Sequence, residues 1–478
     1  MALLVSVFEL LSSTWQVSSA TLNLLPFSHI AAAQAGRFEQ ELLSLEDRFS
    51  AELINKRWNR CTKNYGWRNL RICKDHGTSR ARYLSLFKRC GKSLVELNIH
   101  HQPFFNSSSG GCPRKCLVYS LLPMLQNIRH ISLSANCSSA PDLKIIAKSF
   151  PKLLSAELIS LGPCSHKGLT FMLKNCKELN YLKFRDLNDF MQYDFADIPS
   201  SLKCLDVDHT VDSAKILSNA ANNGCQLESL KVFAWAAPYL FDNFFYFKSL
   251  KYLCLYVQYV DIYTNLAGSL AGLRNLRALD LWSGLDGRQT AMALEAVVVN
   301  CQQLEHFSLS FHSSRAVIVD EGAFDQICNL PKLTSLSIGG NFQNGDGGRP
   351  SLQKFFERLT SDGRLKYIKL KTLLSVESVR NALISCTDLT RLGWRIKNDN
   401  EEWVKLLQTL NEIHGGCGPE EEHLILKIFC YCGLYRWSEN MPYHPWVKFC
   451  TWSEPSPVRE KYRVGCLINT PTFAGTIE

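Results

Sequence analysis

A chain of 478 residues, 46% hydrophobic and 20% charged, is too long for one ordinary core and too apolar for a disordered one. That leaves several domains or a repeat array, and the formal charge of +9 is mild, with no block of five or six like charges to suggest a nucleic-acid partner. The 19 cysteines lack the dense spacing of small secreted domains, so the expected setting is reducing, cytoplasmic or nuclear.

Residues 1–40 read as an N-terminal extension. It opens MALLVSVFELLSS, with no positive n-region and with Glu9 interrupting the apolar run, so secretion is not expected. No stretch reaches the ~18 uninterrupted apolar residues of a membrane span. The sequons at Asn106 and Asn136 would matter only in a secreted chain.

Residues 41–75 read as a small helical module. In LLSLEDRFSAELINKRWNRC, from Leu42 to Cys61, Ser44 can cap a helix whose first turn carries Glu46 and Asp47, where negative charge suits the dipole. Leu45, Phe49, Leu53 and Trp58 recur at roughly helical spacing. One reading is a cap over the first coil of a solenoid, which every solenoid needs. The other is a docking module.

From about residue 85 to 400 one hexamer recurs, L-x-x-L-x-L. It is LVELNI at Leu94, IRHISL at Ile128, LLSAEL at Leu153, LNYLKF at Leu179, LKCLDV at Leu202 and LESLKV at Leu227. It continues as LKYLCL at Leu250, LRALDL at Leu276, LEHFSL at Leu304, LTSLSI at Leu333, LKYIKL at Leu365 and LTRLGW at Leu389. Successive starts lie 23 to 34 residues apart, mostly within the period of leucine-rich repeats. Each hexamer predicts a short strand with its leucines inward and the residues between them outward. APDLKIIAKSFPKL and SHKGLTFMLKNCKEL, between hexamers, carry a helical pattern. A strand-plus-helix unit cannot bury its apolar face alone, so the units stack into an α/β solenoid with a parallel sheet on its concave side.

Cys176, Cys301 and Cys386 stand three residues before the first leucine of a hexamer, with Cys90 and Cys225 close to that place. A small apolar group at the helix-to-strand corner accounts for them, and the array resembles the cysteine-containing class of leucine-rich repeats. Metal ligation does not fit thiols about 25 residues or more apart. FFNSSSGGCPRKC and GGNFQNGDGG read as surface loops; the second lacks the Lys-Ser/Thr ending of a phosphate-binding loop.

Residues 401–478 break the period and read as a C-terminal cap and tail, with Cys430 and Cys432 as buried thiols. No nucleophile elbow, HExxH, nucleotide-binding glycine motif or CxxC pair is present, so no catalytic residue, cofactor or metal is expected.

At Leu45, Asp47, Ile54 and the Lys56-Arg57-Trp58 ending, the 42–61 stretch resembles the second half of an F-box. The usual LP-x-E opening has no counterpart just before Leu42. An F-box followed by cysteine-containing repeats is similar to the F-box/LRR family. That resemblance implies a substrate-recognition subunit of a cullin-based (SCF) ubiquitin ligase. Leu42, Leu45, Phe49, Leu53, Ile54 and Trp58 would meet the adaptor of the cullin scaffold, and the concave face would hold a protein substrate. Outward positions there are Tyr181, Lys183, Arg185, Asp206, Asp208, Lys231, Phe233, Tyr252, Tyr256, Asp280 and Trp282, rich in the aromatic and basic residues of protein hot spots. The alternative is a leucine-rich-repeat scaffold with no ligase link.

Overall fold

The structure, a computed structural model, describes residues 68–72, 80–100, 119–134, 140–159, 166–185, 195–207, 213–234, 238–257, 268–283, 287–311, 317–318, 324–339, 342–343, 352–395, 408, 426–430 and 447–450. The chain divides into two compact units, 1–176 and 177–478.

In the first unit the order is β1 (Asn69–Ile72), α1 (Arg80–Cys90), β2 (Glu96–His100), a 3₁₀ turn at Tyr119–Met124, β3 (His130–Ser134), α2 (Ala140–Ser149), β4 (Ser155–Ile159) and α3 (His166–Asn175). Strands β1 to β4 pair in sequence order, all parallel. Helices α2 and α3 approach closely at Gly168. A Cβ there would stand 2.6 Å from the Ala140 carbonyl oxygen and 2.9 Å from the Leu143 Cβ, so the helix accepts a residue of poor propensity.

The second unit begins with β5 (Tyr181–Arg185), β6 (Cys204–Val207), α4 (Ser213–Asn222), β7 (Ser229–Ala234), a 3₁₀ helix at Pro238–Tyr246, β8 (Tyr252–Val257) and β9 (Ala278–Ser283). Then come α5 (Gly287–Asn300), β10 (His306–Phe311), β11 (Val317–Ile318), β12 (Ser335–Gly339), β13 (Phe342–Gln343) and α6 (Gln353–Thr360). The unit ends with β14 (Tyr367–Leu373), α7 (Val376–Ser385), β15 (Arg391–Arg395), β16 (Leu426–Cys430) and β17 (Val447–Cys450). Strands β5 to β10, β12 and β14 to β17 form one sheet in chain order, and β11 pairs with β13 apart from it. Each unit is therefore a leucine-rich-repeat solenoid, one strand per coil.

All twelve hexamers become strands, and each strand starts two residues after the first leucine. The three inward residues are buried in coil after coil: Leu276, Leu279 and Leu281, then Leu304, Phe307 and Leu309, then Leu333, Leu336 and Ile338. Each such side chain contributes roughly 1.5–3 kcal/mol on burial, and three per coil make the spine. One backbone contact repeats along it. The carbonyl of the second hexamer residue accepts two N–H groups from the next coil, as Arg277 does from Glu305 and His306, and Glu305 from Thr334 and Ser335.

That contact exposes a coil the leucine pattern misses. The Arg68 carbonyl accepts from Val95 and Glu96, so WRNLRI, starting at Trp67, is a further hexamer with Trp in the first leucine's place. Strand β1 thus lies inside the span expected to be a helical module, 41–75. At the other end, β15 pairs with β16 from Arg391↔Lys427 and β16 with β17 from Leu426↔Val447. The sheet runs on into 401–478, where a cap was expected. Residues 42–61, with the expected adaptor contacts, lie outside the described residues.

The corner cysteines are where the spacing placed them. Cys176, Cys301 and Cys386 are buried, and their N–H groups close the last turn of α3, α5 and α7 onto Met172, Val297 and Ala382. Sulfur points at a carbonyl of the preceding coil: Phe150 for Cys176 (3.7 Å), Pro199 for Cys225 (3.3 Å), Thr360 for Cys386 (3.5 Å). Burial pushes the Cys176 and Cys301 thiols up to about 12, so they stay protonated and act as small core groups.

Candidate protein-recognition face

Outward side chains sit at the third, fifth and seventh positions counted from each hexamer start, on the face opposite the leucines. Parallel strands in register, about 4.8 Å apart, bring like positions to stacking distance. On β7, β8 and β9 the seventh positions are Phe233, Tyr256 and Trp282, and they are register partners. Phe233 and Tyr256 stack with centroids 3.9 Å apart at 11°, and Tyr256 and Trp282 at 5.0 Å and 21°. The result is a three-ring ladder of half-buried aromatics.

Lys231 lies beside it. Its Nζ is 5.7 Å from the Phe233 centroid, 5.5 Å from that of Tyr256, and 3.7 Å from Asp206 Oδ1. The carboxylate holds the ammonium beside both rings. Beneath the ladder, Cys254 and Ala278 are small enough for Tyr256 and Trp282 to pack down on them and on Tyr252.

Under the rings runs a buried hydrogen-bond chain. Tyr252 Oη donates to Asp280 Oδ2 (2.8 Å), His306 Nε2 meets Asp280 Oδ1 (3.1 Å), and His306 Nδ1 meets Ser335 Oγ (2.7 Å). With Nε2–H donated to Asp280, Nδ1 accepts the Ser335 hydroxyl. All four residues are at most 3% exposed. The Ser–His–Asp order is that of a hydrolytic triad, but a fully buried Ser335 hydroxyl faces no substrate. The chain instead ties β8, β9, β10 and β12 together.

The expected recognition residues therefore divide. Phe233, Tyr256 and Trp282 come together on the face, with Lys231 and Asp206 beside them; Tyr181 and Arg185 are half-buried on β5. Lys183, Tyr252 and Asp280 were expected to face a partner and are buried instead, at 8%, 3% and 1% exposure. Close strand spacing covers a side chain from both sides, whichever way it points. Asp208 lies outside the described residues. Sequence reasoning missed His306 and Ser335; the signal was two polar residues at the same hexamer position in successive coils.

The first unit repeats that pairing. His130 on β3 is the register partner of Ser155 on β4, as His306 is of Ser335. Here His130 Nδ1 and Ser155 Oγ are both buried without a hydrogen-bond partner. Burial first, and Arg129 second, push the His130 imidazole down to about 4. A histidine depressed in the folded state contributes stability above its unfolded pKa, ~6.5, and that contribution is lost as pH falls toward 4. Between pH 7 and 4.5 the native chain should lose about 2 kcal/mol more than His130→Gln, read from urea midpoints at both pH values. Equal losses would contradict this reading.

A depression of about 330 Å³ is lined by the polar residues Glu228, Ser249, Lys251, Asn275, Arg277 and Gln303. Glu228 there is bridged by Lys203 (3.0 Å) and Lys251 (2.7 Å), the Lys251 hydrogen bond chiefly holding its carboxyl below the usual range. No hydrophobic or aromatic side chain lines it, unlike a typical small-molecule site. Among the described residues no group of three or more His, Cys, Asp or Glu could hold a metal ion, and no helix is long and apolar enough to cross a membrane.

No family model matches the chain, and no curated protein matches it. Among solved structures it is similar to one from the crystal structure of the Rad7 and Elc1 complex in yeast, at 13% identity over 81% of this chain and 94% of that one, with TM-score 0.41. It is also similar to one from the TLR13–ssRNA13 complex, at 15% identity over 76% of this chain and 60% of that one, with TM-score 0.27.

Proposed function

We propose that this chain is a protein-binding leucine-rich-repeat receptor whose partner seats on the Phe233–Tyr256–Trp282 ladder. The ladder is the observation that carries the reading. Three aromatics concentrated on successive strands, with a lysine alongside, match the composition of protein hot spots. The stacking also selects the class of ligand. Both faces of Tyr256 are covered by its neighbours, so no base can stack on it and no quaternary ammonium can sit over it. The ring edges along the ladder suit apolar side chains and carbonyl or carboxylate oxygens of a polypeptide.

We further propose that residues 42–61 tether this receptor to the adaptor of a cullin-based ubiquitin ligase. The chain would then do no bond chemistry; it would raise the local concentration of a substrate near a charged conjugating enzyme, in the cytoplasm or nucleus. The Lys56-Arg57-Trp58 ending ahead of the first coil supports the tether. A scaffold with no ligase link is the second reading, favoured by the missing LP-x-E opening and the lack of any family match. A pull-down with purified ligase adaptor separates them. The full chain should capture it, and Leu45→Asp/Trp58→Ala should lose at least tenfold. Capture by neither removes the ligase link and leaves the scaffold.

A further inference from the structure

The charge of the chain is not evenly distributed. Residues 68–176 carry 16 Lys and Arg against 4 Asp and Glu, whereas residues 177–478 carry 31 against 34. The mild +9 hides a first unit that is strongly basic and a second that is slightly acidic. Two of the four carboxylates of residues 68–176, Glu96 and Glu157, are buried on strands and offer nothing to the surface.

The excess gathers on helices. On α2, Lys144 and Lys148 are one turn apart and exposed. Their Nζ atoms lie 6.0 and 5.9 Å from the ring of Phe171 on α3. Lys167 and Lys174, four residues before and three after Phe171, share its side of α3. Two ammonium groups thus flank one half-buried ring, and two more exposed lysines share its side of α3. Lys152 adds an exposed cation just after α2, and Lys88, Arg89 and Lys92 add three more at or just after the end of α1, beyond the 3₁₀ turn at Tyr119–Met124. Like charges at helical neighbours destabilise a helix, and solubility needs only interspersed signs. A segregated cationic face is the footprint of a polyanionic partner.

We infer that the helical face of the first unit, centred on Lys144, Lys148, Lys167 and Lys174 around Phe171, docks the phosphate backbone of a nucleic acid without reading its sequence. Lysines are point charges that follow phosphates without fixed bidentate geometry. The four central lysines spread over two successive helices, α2 and α3, rather than lining a pocket, which suits a polymer with one charge per about 1.7 Å of duplex axis. Phe171, half-buried and flanked by ammonium groups, offers no platform for a base. The face lies on a different unit from the aromatic ladder, so this inference and the proposed receptor function stand or fall separately.

The test is fluorescence anisotropy of a labelled 20-base-pair duplex of mixed sequence with the full chain, between 50 and 200 mM salt. Four contacts predict a slope of log Kobs against log salt near −4, about −0.9 per phosphate. Lys144→Ala/Lys148→Ala/Lys167→Ala/Lys174→Ala should weaken binding at least tenfold at 50 mM salt and flatten the slope. Lys215→Ala/Lys354→Ala, two exposed lysines of the second unit, should leave both unchanged. Lys144→Gln/Lys148→Gln gives the same direction with less change, should the quadruple variant misfold. The inference is overturned by no binding at 50 mM salt, or by a quadruple variant equal to the native chain. Capture of poly-glutamate or of phosphatidylserine vesicles in place of the duplex also overturns it.

Discussion

Asp280→Ala should destabilise the second unit by about 3–5 kcal/mol, the range for removing one member of a buried, charge-bearing pair. The carboxylate accepts from Tyr252 on one oxygen and meets His306 on the other, at 1% exposure. Its loss removes the acceptor of the Tyr252 hydroxyl and of His306 Nε2, both at buried residues, while His306 Nδ1 keeps Ser335. Tyr252→Phe removes one donor and should cost about 1–3 kcal/mol. In a repeat array, stability is a sum of coil and neighbour-interface terms. Asp280→Ala weakens the interfaces of β8, β9, β10 and β12 at once, so urea unfolding should broaden as well as shift. A midpoint change worth less than about 1 kcal/mol would show that the chain of hydrogen bonds holds nothing together.

Tyr256→Ala should lower affinity for the protein partner at least about 30-fold, a loss of about 2 kcal/mol, while leaving the fold intact. Tyr256 is the middle rung, and without it Phe233 and Trp282 lose their shared stacking partner. The ridge becomes two isolated rings with a trough between them. The spine residues of that coil, Leu250, Leu253 and Leu255, are untouched and fully buried. Circular dichroism should therefore match the native chain, and titration calorimetry with the purified partner should carry the effect. Native-like affinity would place recognition elsewhere.

The leucine register was readable to the residue: Leu304 predicts a strand starting at His306, and Leu333 one at Ser335, as found. The strands at Asn69–Ile72, Leu426–Cys430 and Val447–Cys450 escaped because the residues two before Asn69, one before Leu426 and one before Val447 in the sequence are Trp, Ile and Trp, where the repeat pattern is spelled with leucine. The ladder was legible in part. Counting along the hexamers puts Phe233, Tyr256 and Trp282 in one column, but depth is set by neighbours. Small Cys254 and Ala278 let the rings fold down, and closely spaced strands seal Tyr252 and Asp280 from solvent. Pairing a carboxylate with a phenol on one adjacent strand and an imidazole on the other depends on three side chains meeting in space, and no single coil's sequence encodes that.

Site-specific photo-crosslinking tests the recognition face most directly. A benzophenone amino acid at Ser310, the register partner of Trp282 on β10, stands next to the ladder. The same group at Met292, 46% exposed on α5, samples the helical side of the same coils. In its own cells the chain should crosslink a discrete protein from position 310 and none from 292, and Tyr256→Ala should abolish the adduct. Adducts from 292 alone, or adducts from 310 that survive Tyr256→Ala, would contradict the account.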